Sequence, residues 1–519
     1  MGERLLLYNA CYYDEQTVVN DAAILLQDGM IEKIYDEGLP DEERKSCDEA
    51  VDCSGMLVLP AFVDGHLHLP SAFLYEKYGL DLRREKCVED YVRAIRNFDT
   101  GCMTVLRGYG WENAVCEKQP DGYQQIRRVL DHVHKSIPAV IFSSDYHSCI
   151  CNQQFESFIS DNSLDIEVAE NGFISGKSLF LLLTQNIVSF DAEQIKDALL
   201  FEQKNLISKG ITSIQSLMFL GGNGTLEWET MKSLEVQGQW LIKTNIAASL
   251  YPFETIEQML MKHSKLMMFE SKNISANTVK IYMDGVVENR TAYLLENYAQ
   301  TDDRGRKFWD NELFRQVCCK FDSLGVQIHI HAIGDAAVKE AVDGLCYAMD
   351  INRTKHKNRH VITHLQLIDT IDIRRMKDYG IVASIQPYWI PKNGIPNERD
   401  VECLGDRAYD EYRVGSLFST NVIVASSSDS PVTENNNPLI GIEQAVSRTE
   451  KAEKTSVENM IDSFTKNGAY QLGRDEQIGR IKEGFCGDLA VISKNICSET
   501  MENAYLTYTI INGKISYRA

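Results

Sequence analysis

The sequence predicts an α/β fold: a (β/α)8 barrel with a small β-sandwich-like domain built from both chain termini and a long insertion after the first barrel strand. Three observations predict it. Eight apolar, strand-like runs alternate with helical stretches through the middle of the chain; that alternation implies a parallel sheet, and eight strands close a barrel. Both chain ends carry short β-type runs broken by Asp, Asn and Gly turns. Ionisable side chains, histidines above all, gather where the central apolar runs end, as they do on the active face of such a barrel.

At the N-terminal end, LLLYNACYY and AAILLQDGMIEKIYD have this β texture, and GDLAVISKN and AYLTYTIINGKISYRA repeat it at the C-terminal end. Residues 1–58 and 475–519 are therefore expected to pair into one composite β domain, with the barrel over 59–474. The expected barrel strands are LVLPAFVD, ITSIQSL, WLIKTNIAA, NTVKIYMD, GVQIHIH, HVITH, GIVASIQP and NVIVASSSD. Residues from about 75 to 190, including GYGWENAVCEKQPDGY and SSDYHSCICNQ, fall between the first two and read as an insertion covering the active face.

Composition narrows the partners. Lys and Arg total 53 against 75 Asp and Glu, a net charge of -22 in 519 residues. That charge repels a polyphosphate backbone and an anionic lipid surface, so neither nucleic acid nor membrane is expected as a partner. The N-terminal MGERLLLYNACYYDEQ lacks a secretory apolar region and no later segment reads as a membrane span. The 14 cysteines include no CxxC pair and are expected as reduced thiols in a cytoplasmic protein. A homo-oligomer is compatible with the sequence.

The chemistry starts at LVLPAFVDGHLH, which brings His66 and His68 to the end of an apolar run. Residues two apart on a strand share a face, so both imidazoles can meet one metal ion, although two surface histidines beside a Gly turn would read the same. The design recurs. Apolar runs end in His331, His364 and Asp429, and another carries Lys280; imidazole and carboxylate suit a divalent cation. In GVQIHIH the outer face takes Val326, Ile328 and Ile330, leaving Gln327, His329 and His331 inside. His331, nearest the strand end, is the better ligand, with His329 supporting it. The same parity puts His360 and His364 inside, and sets Lys280, Tyr282 and Asp284 on one face.

The segments PAFVDGHLH, VKIYMDGVVENRTAYL, HAIGDAA, ITHLQL and SSSDSPV resemble the metal-dependent amidohydrolase superfamily, in particular its branch of N-substituted formamide deformylase and YtcJ-like hydrolases. The likeness runs over almost the whole chain. It implies that His66, His68 and Asp429 bind the more buried of two metals, that His331 and His364 bind the second, and that Lys280 bridges them as a carbamate. Two Zn²⁺ ions are implied, with Mn, Co or Fe accepted by the same donors. Carbamate formation needs neutral lysine, and hence a lowered pKa; the alternative is a protonated Lys280 paired with Asp284.

The resemblance further implies hydrolysis of a carbon–nitrogen bond in a small-molecule amide, such as an N-substituted formamide or N-acyl amine. A metal-activated hydroxide would attack, and Asp429 would carry the proton to the leaving amine. Asp145 and His147 match an Asp-x-His element of the insertion that can hydrogen-bond substrate, or they are solvated loop residues. Arg290 can orient substrate beside Asp284 or form a loop ion pair. Trp111, Tyr388 and Trp389 can line an apolar pocket or belong to a core. Ser178 and Ser216 stand where the branch usually has Glu and Asp, which touches substrate orientation more than metal binding. A one-metal deaminase and a non-catalytic ligand-binding barrel are the rival readings. The first usually places Glu shortly after the fifth-strand His, where this chain has Ala332, Ile333, Gly334 and Asp335.

Overall fold

The computed structural model describes residues 3–36, 39–101, 103–183, 190–217 and 225–519. The chain divides into two compact units: residues 1–67, 203–217 and 238–519 form the first, and residues 68–202 and 218–237 the second.

In the first unit, eight parallel strands follow one another in chain order around a sheet. They are β1 (Phe62–Leu67), β2 (Ile211–Ser216), β3 (Lys243–Ser249), β4 (Ile274–Tyr282), β5 (Gln327–Ala332), β6 (Val361–His364), β7 (Val382–Ile385) and β8 (Val424–Ser426). All eight overlap the runs that read as strands; β1, β3, β4 and β5 extend past them. The last returns to the first: the Asp429 N–H donates to the His66 carbonyl at 2.8 Å, and the Ser428 N–H to Asp64 Oδ1 at 2.9 Å. The sheet is thereby drawn into a (β/α)8 barrel.

Parity along β5 follows the expected split. Ile328 and Ile330 are buried and alternate with Gln327, His329 and His331. At the N-terminal end of the strand Gln327 Nε2 donates to the carbonyls of Arg359 and Gln471. Gln471 also donates to the Gly65 carbonyl at 2.6 Å. A Cβ at residue 65 would lie 3.0 Å from the Gln471 amide, so this approach favours glycine. His360, expected inside, is instead locked by structure: it accepts from Ile328 N through Nδ1, and its Nε2 lies 2.9 Å from Asp322 Oδ1.

A second sheet of the first unit joins strands from both ends of the chain. Its order runs Lys514–Arg518, Leu506–Ile511, Leu489–Ile492, Leu57–Pro60, Arg4–Asp14, Thr17–Gln27 and Met30–Tyr35, with Glu49–Asp52 also paired to Arg4–Asp14. Alternating Leu5, Leu7, Ile24, Leu26, Val58, Leu489, Val491 and Ile510 build its core, each large aliphatic side chain contributing about 1.5–3 kcal/mol on burial.

The second unit holds a five-stranded sheet ordered Phe173–Ser175, Ser148–Cys151, Ala139–Ser143, Leu106–Trp111 and Leu80–Asp81. Helices Val88–Asn97 and Gly122–Val133 supply Tyr91, Ile95, Ile126 and Leu130 to its core. The unit begins at residue 68 and ends its first segment at 202, wider than the expected 75–190, and it takes in a second segment at 218–237 that periodicity did not reveal. Thirteen described cysteines are free thiols, most of them buried, and no described helix is long and apolar enough to cross a membrane.

Candidate metal centre

The C-terminal ends of the barrel strands bring buried donors together. Ligand atoms of His66 on β1, His364 at the end of β6 and Asp429 just beyond β8 all lie within 4.8 Å of one another, and all three residues are buried. His66 Nε2 is 3.2 Å from Asp429 Oδ1. The rings of His66 and His364 stand 5.1 Å apart, and those of His331 and His364 4.5 Å apart. His364 thus stands beside both His66 with Asp429 and His331.

Two of the three donors sit on left-handed backbone. His364 has φ 78° and Asp429 φ 56°, a region costly for residues other than glycine and found at sites where surrounding structure holds it. Neighbours fix the rings as well. His364 Nδ1 lies 3.0 Å from Gln386 Oε1, and the Gln386 amide donates to Ser427 Oγ and Thr363 Oγ1. Trp389 stacks on the His364 ring at 5.4 Å and 6°, with its indole N–H on Thr433 Oγ1. Gln386 and Trp389 were missed as parts of this arrangement, although Gln386 has inward parity with Ser384 in GIVASIQP.

His331 turns Nε2 to the Gly285 carbonyl at 3.1 Å and to Asp284 Oδ1 at 3.7 Å. Lys280 occupies β4 in register with His329 and Ser249. It is fully buried, and among the described residues its Nζ has no hydrogen-bond partner; it stands 4.9 Å from the centre of the Tyr282 ring. Burial lowers its pKa to about 7, while the Asp429 charge pulls it the other way. A buried amine without a hydrogen-bond partner is a costly arrangement. N and O donors of this kind fit a divalent transition metal or zinc.

Backbone N–H groups claim Asp284. Its carboxylate accepts the N–H groups of Tyr293, Ile333 and Gly334 at 2.8–3.0 Å and is fully buried. Burial raises it to about 7 against those bonds. The expected alternative of a Lys280–Asp284 ion pair is absent among the described residues. Asp64, one turn of the strand below His66, is likewise raised by burial to about 6 and ties Ser428 to β1.

The remaining expected residues are placed as follows. His68 is buried and is the first residue of the second unit. Asp145 and His147 lie in that unit, where Asp145 Oδ1 accepts from Ser143 Oγ and from the His147 N–H, so the carboxylate organises its own turn. Trp111 is corrected from pocket to core: it is wholly buried with its indole N–H on the Ile141 carbonyl. Arg290 is an exposed-loop residue whose guanidinium meets Glu402 at 3.3 Å.

The protein-family model described as the amidohydrolase family matches residues 49–517. The YtcJ protein of Bacillus subtilis, provisionally named an amidohydrolase, is 24% identical over 532 aligned positions that cover 95% of this chain and 96% of that one. Protein LONG AFTER FAR-RED 3 of Arabidopsis thaliana is 25% identical over 501 positions, covering 90% and 83%. Among solved structures, an uncharacterized metal-dependent hydrolase from Pyrococcus horikoshii OT3 shares the fold with a TM-score of 0.74 at 20% identity, covering 97% of this chain and all of that one.

Proposed function

Since the chain belongs to the amidohydrolase family, we propose that it is a metal-dependent hydrolase that cleaves the carbon–nitrogen bond of a linear amide, such as an N-substituted formamide or an N-acyl amine. One observation carries this reading: His66, His364 and Asp429 converge, buried, at the strand ends, with the partnerless amine of Lys280 on the neighbouring face of the barrel. In this reading His66, His364 and Asp429 would hold one cation. His331 and Lys280 would hold a second. A lysine lowered to about 7 is neutral often enough near pH 7 to take up carbon dioxide, and the resulting carbamate offers two anionic oxygens for bridging.

When bound, the metal would supply Lewis acidity and a nucleophile at neutral pH. The chain supplies the rest. Asp429 accepts the proton of the attacking water and delivers it to the departing nitrogen, which cannot leave as an amide anion. Gln386 and Trp389 hold the His364 ring in place, so that the donor geometry is set before substrate arrives.

A deaminase fits the fifth-strand segment less well. The first carboxylate after His331 is Asp335, and its Oδ1 accepts the Leu295 and Ala336 N–H groups at the start of a helix. The test joins metal analysis to a substrate panel of N-formyl amines, N-acyl amines, cyclic amides and aminopurines. About two metals per chain with turnover of the linear amides is the expected result. One metal with aminopurine turnover would transfer the chain to the deaminases, and no metal uptake would refute the hydrolase reading.

A further inference from the structure

The histidine pair His66–His329 contains a choice that the metal centre depends on. His66 Nδ1 and His329 Nε2 are 2.8 Å apart, and both residues have no solvent exposure. Two neutral imidazoles at that distance share one proton, so one ring donates and the other accepts. If His329 donates, the His66 proton sits on Nε2, 3.2 Å from Asp429 Oδ1, and that nitrogen has no lone pair for a cation. If His66 donates, its Nε2 lone pair faces Asp429 and His364.

We infer that His329 is a positioning residue that accepts the Nδ1–H of His66 and thereby fixes the tautomer in which His66 Nε2 can bind metal. This rests on the proposed metal centre and adds to it the residue that sets its first ligand. Ligating histidines commonly give their second N–H to a carboxylate, a carbonyl or a water. Here a second imidazole takes that place. It accepts as those groups do, but it can also donate, so the metal-free pair can adopt the opposite arrangement and satisfy Asp429. His329 is itself held by the barrel, its backbone in register with Lys280 on one side and Val361 on the other. Its ring plane lies 47° from that of His66 with centroids 4.9 Å apart, a tilt that suits an edge-to-edge hydrogen bond rather than stacking.

The experiment uses the full chain and zinc itself. Zinc affinity is measured by competition with a chromophoric chelator for the wild type, His329→Gln and His329→Leu, with far-UV circular dichroism of each metal-free protein as the folding control. His329→Gln keeps an acceptor oxygen and is expected to bind zinc within about threefold of wild type, while His329→Leu loses about 10–100-fold. Equal affinity in the leucine variant would overturn the inference, and so would a glutamine variant as weak as the leucine one. A measurement independent of any variant is the ¹⁵N spectrum of zinc-loaded wild type, in which His66 Nδ1 is expected to carry the proton; an unprotonated Nδ1 would overturn the assignment. Failure of the wild type to take up zinc would instead strike the metal centre itself, which keeps the two readings distinguishable.

Discussion

Replacing Lys280 with Met isolates what a buried amine costs when nothing compensates it. Lys280 is wholly buried without a hydrogen-bond partner, and burial takes its pKa from 10.5 to about 7. A lysine whose folded value lies below its unfolded value weakens the fold wherever the unfolded chain holds the proton. The penalty is complete below about 7, shrinks between about 7 and 10.5, and is gone above that interval. The distance between the two values corresponds to roughly 5 kcal/mol, at about 1.4 kcal/mol for each tenfold step. Methionine nearly matches the lysine stem in volume and keeps its packing. Metal-free Lys280→Met is therefore expected to exceed metal-free wild type in stability by several kcal/mol at pH 6, and by little at pH 10. Urea unfolding of chelator-treated proteins across that range, followed by tryptophan fluorescence, reads the difference. If Lys280 bridges two metals as proposed, adding zinc should then stabilise wild type more than the variant. A variant no more stable than wild type at pH 6, or a gap that does not narrow toward pH 10, would refute the reasoning.

Three further outcomes are expected. Asp429→Asn keeps a residue that tolerates the left-handed backbone at φ 56° but removes the proton carrier, so metal content should largely persist while amide turnover falls by ~10² or more; unchanged turnover would move the proton to another group. Asp284→Ala strips the acceptor from three N–H groups, two of them buried, and should cost about 3 kcal/mol or more of stability in urea unfolding, whereas a loss below about 1 kcal/mol would show that water or a shifted loop replaces it. Glu411 is buried, accepts from Gln366 Nε2 and is raised to about 9 by burial and by Asp400. An acid raised in the fold loses stability for it as pH climbs from its unfolded value through about 9, so Glu411→Gln should raise the thermal midpoint relative to wild type more at pH 9 than at pH 6, and an equal change at both would count against it.

Much of the fold was legible because barrel strands are short apolar runs between polar turns, and because period-two parity separates Ile328 and Ile330 from His329 and His331 without knowledge of the neighbours. The site was legible only as a set of residues. Which donors meet depends on strand stagger and ring orientation: His364 lies beside His66 and Asp429 and beside the His331 ring, while His331 Nε2 meets the Gly285 carbonyl. No glycine or asparagine flags the left-handed backbone at His364 or Asp429. Asp284 has the parity of a ligand, but loop N–H groups distant in sequence claim it. Trp111 misled because an aromatic in a glycine-rich run reads equally as pocket wall or as strand core, and the sheet that buries it draws on strands spread over about a hundred residues.

The sheet made from both ends of the chain sets a schedule for synthesis. Leu57–Pro60 lies between Arg4–Asp14 and Leu489–Ile492, so one of its edges waits for a partner made about 430 residues later. At translation rates of roughly 5–20 residues per second the wait is about 20–90 s. Throughout it the ribosome displays a strand whose sequence is LVLP, every residue of which is buried in the finished protein, with that edge open to other chains. The strand continues after Ala61 into β1 and His66. Placement of the first metal donor is thus anchored to a sheet completed only as the last strands emerge, and slowing translation near the C-terminal end should lengthen the chain's dependence on chaperones more than slowing it within the barrel.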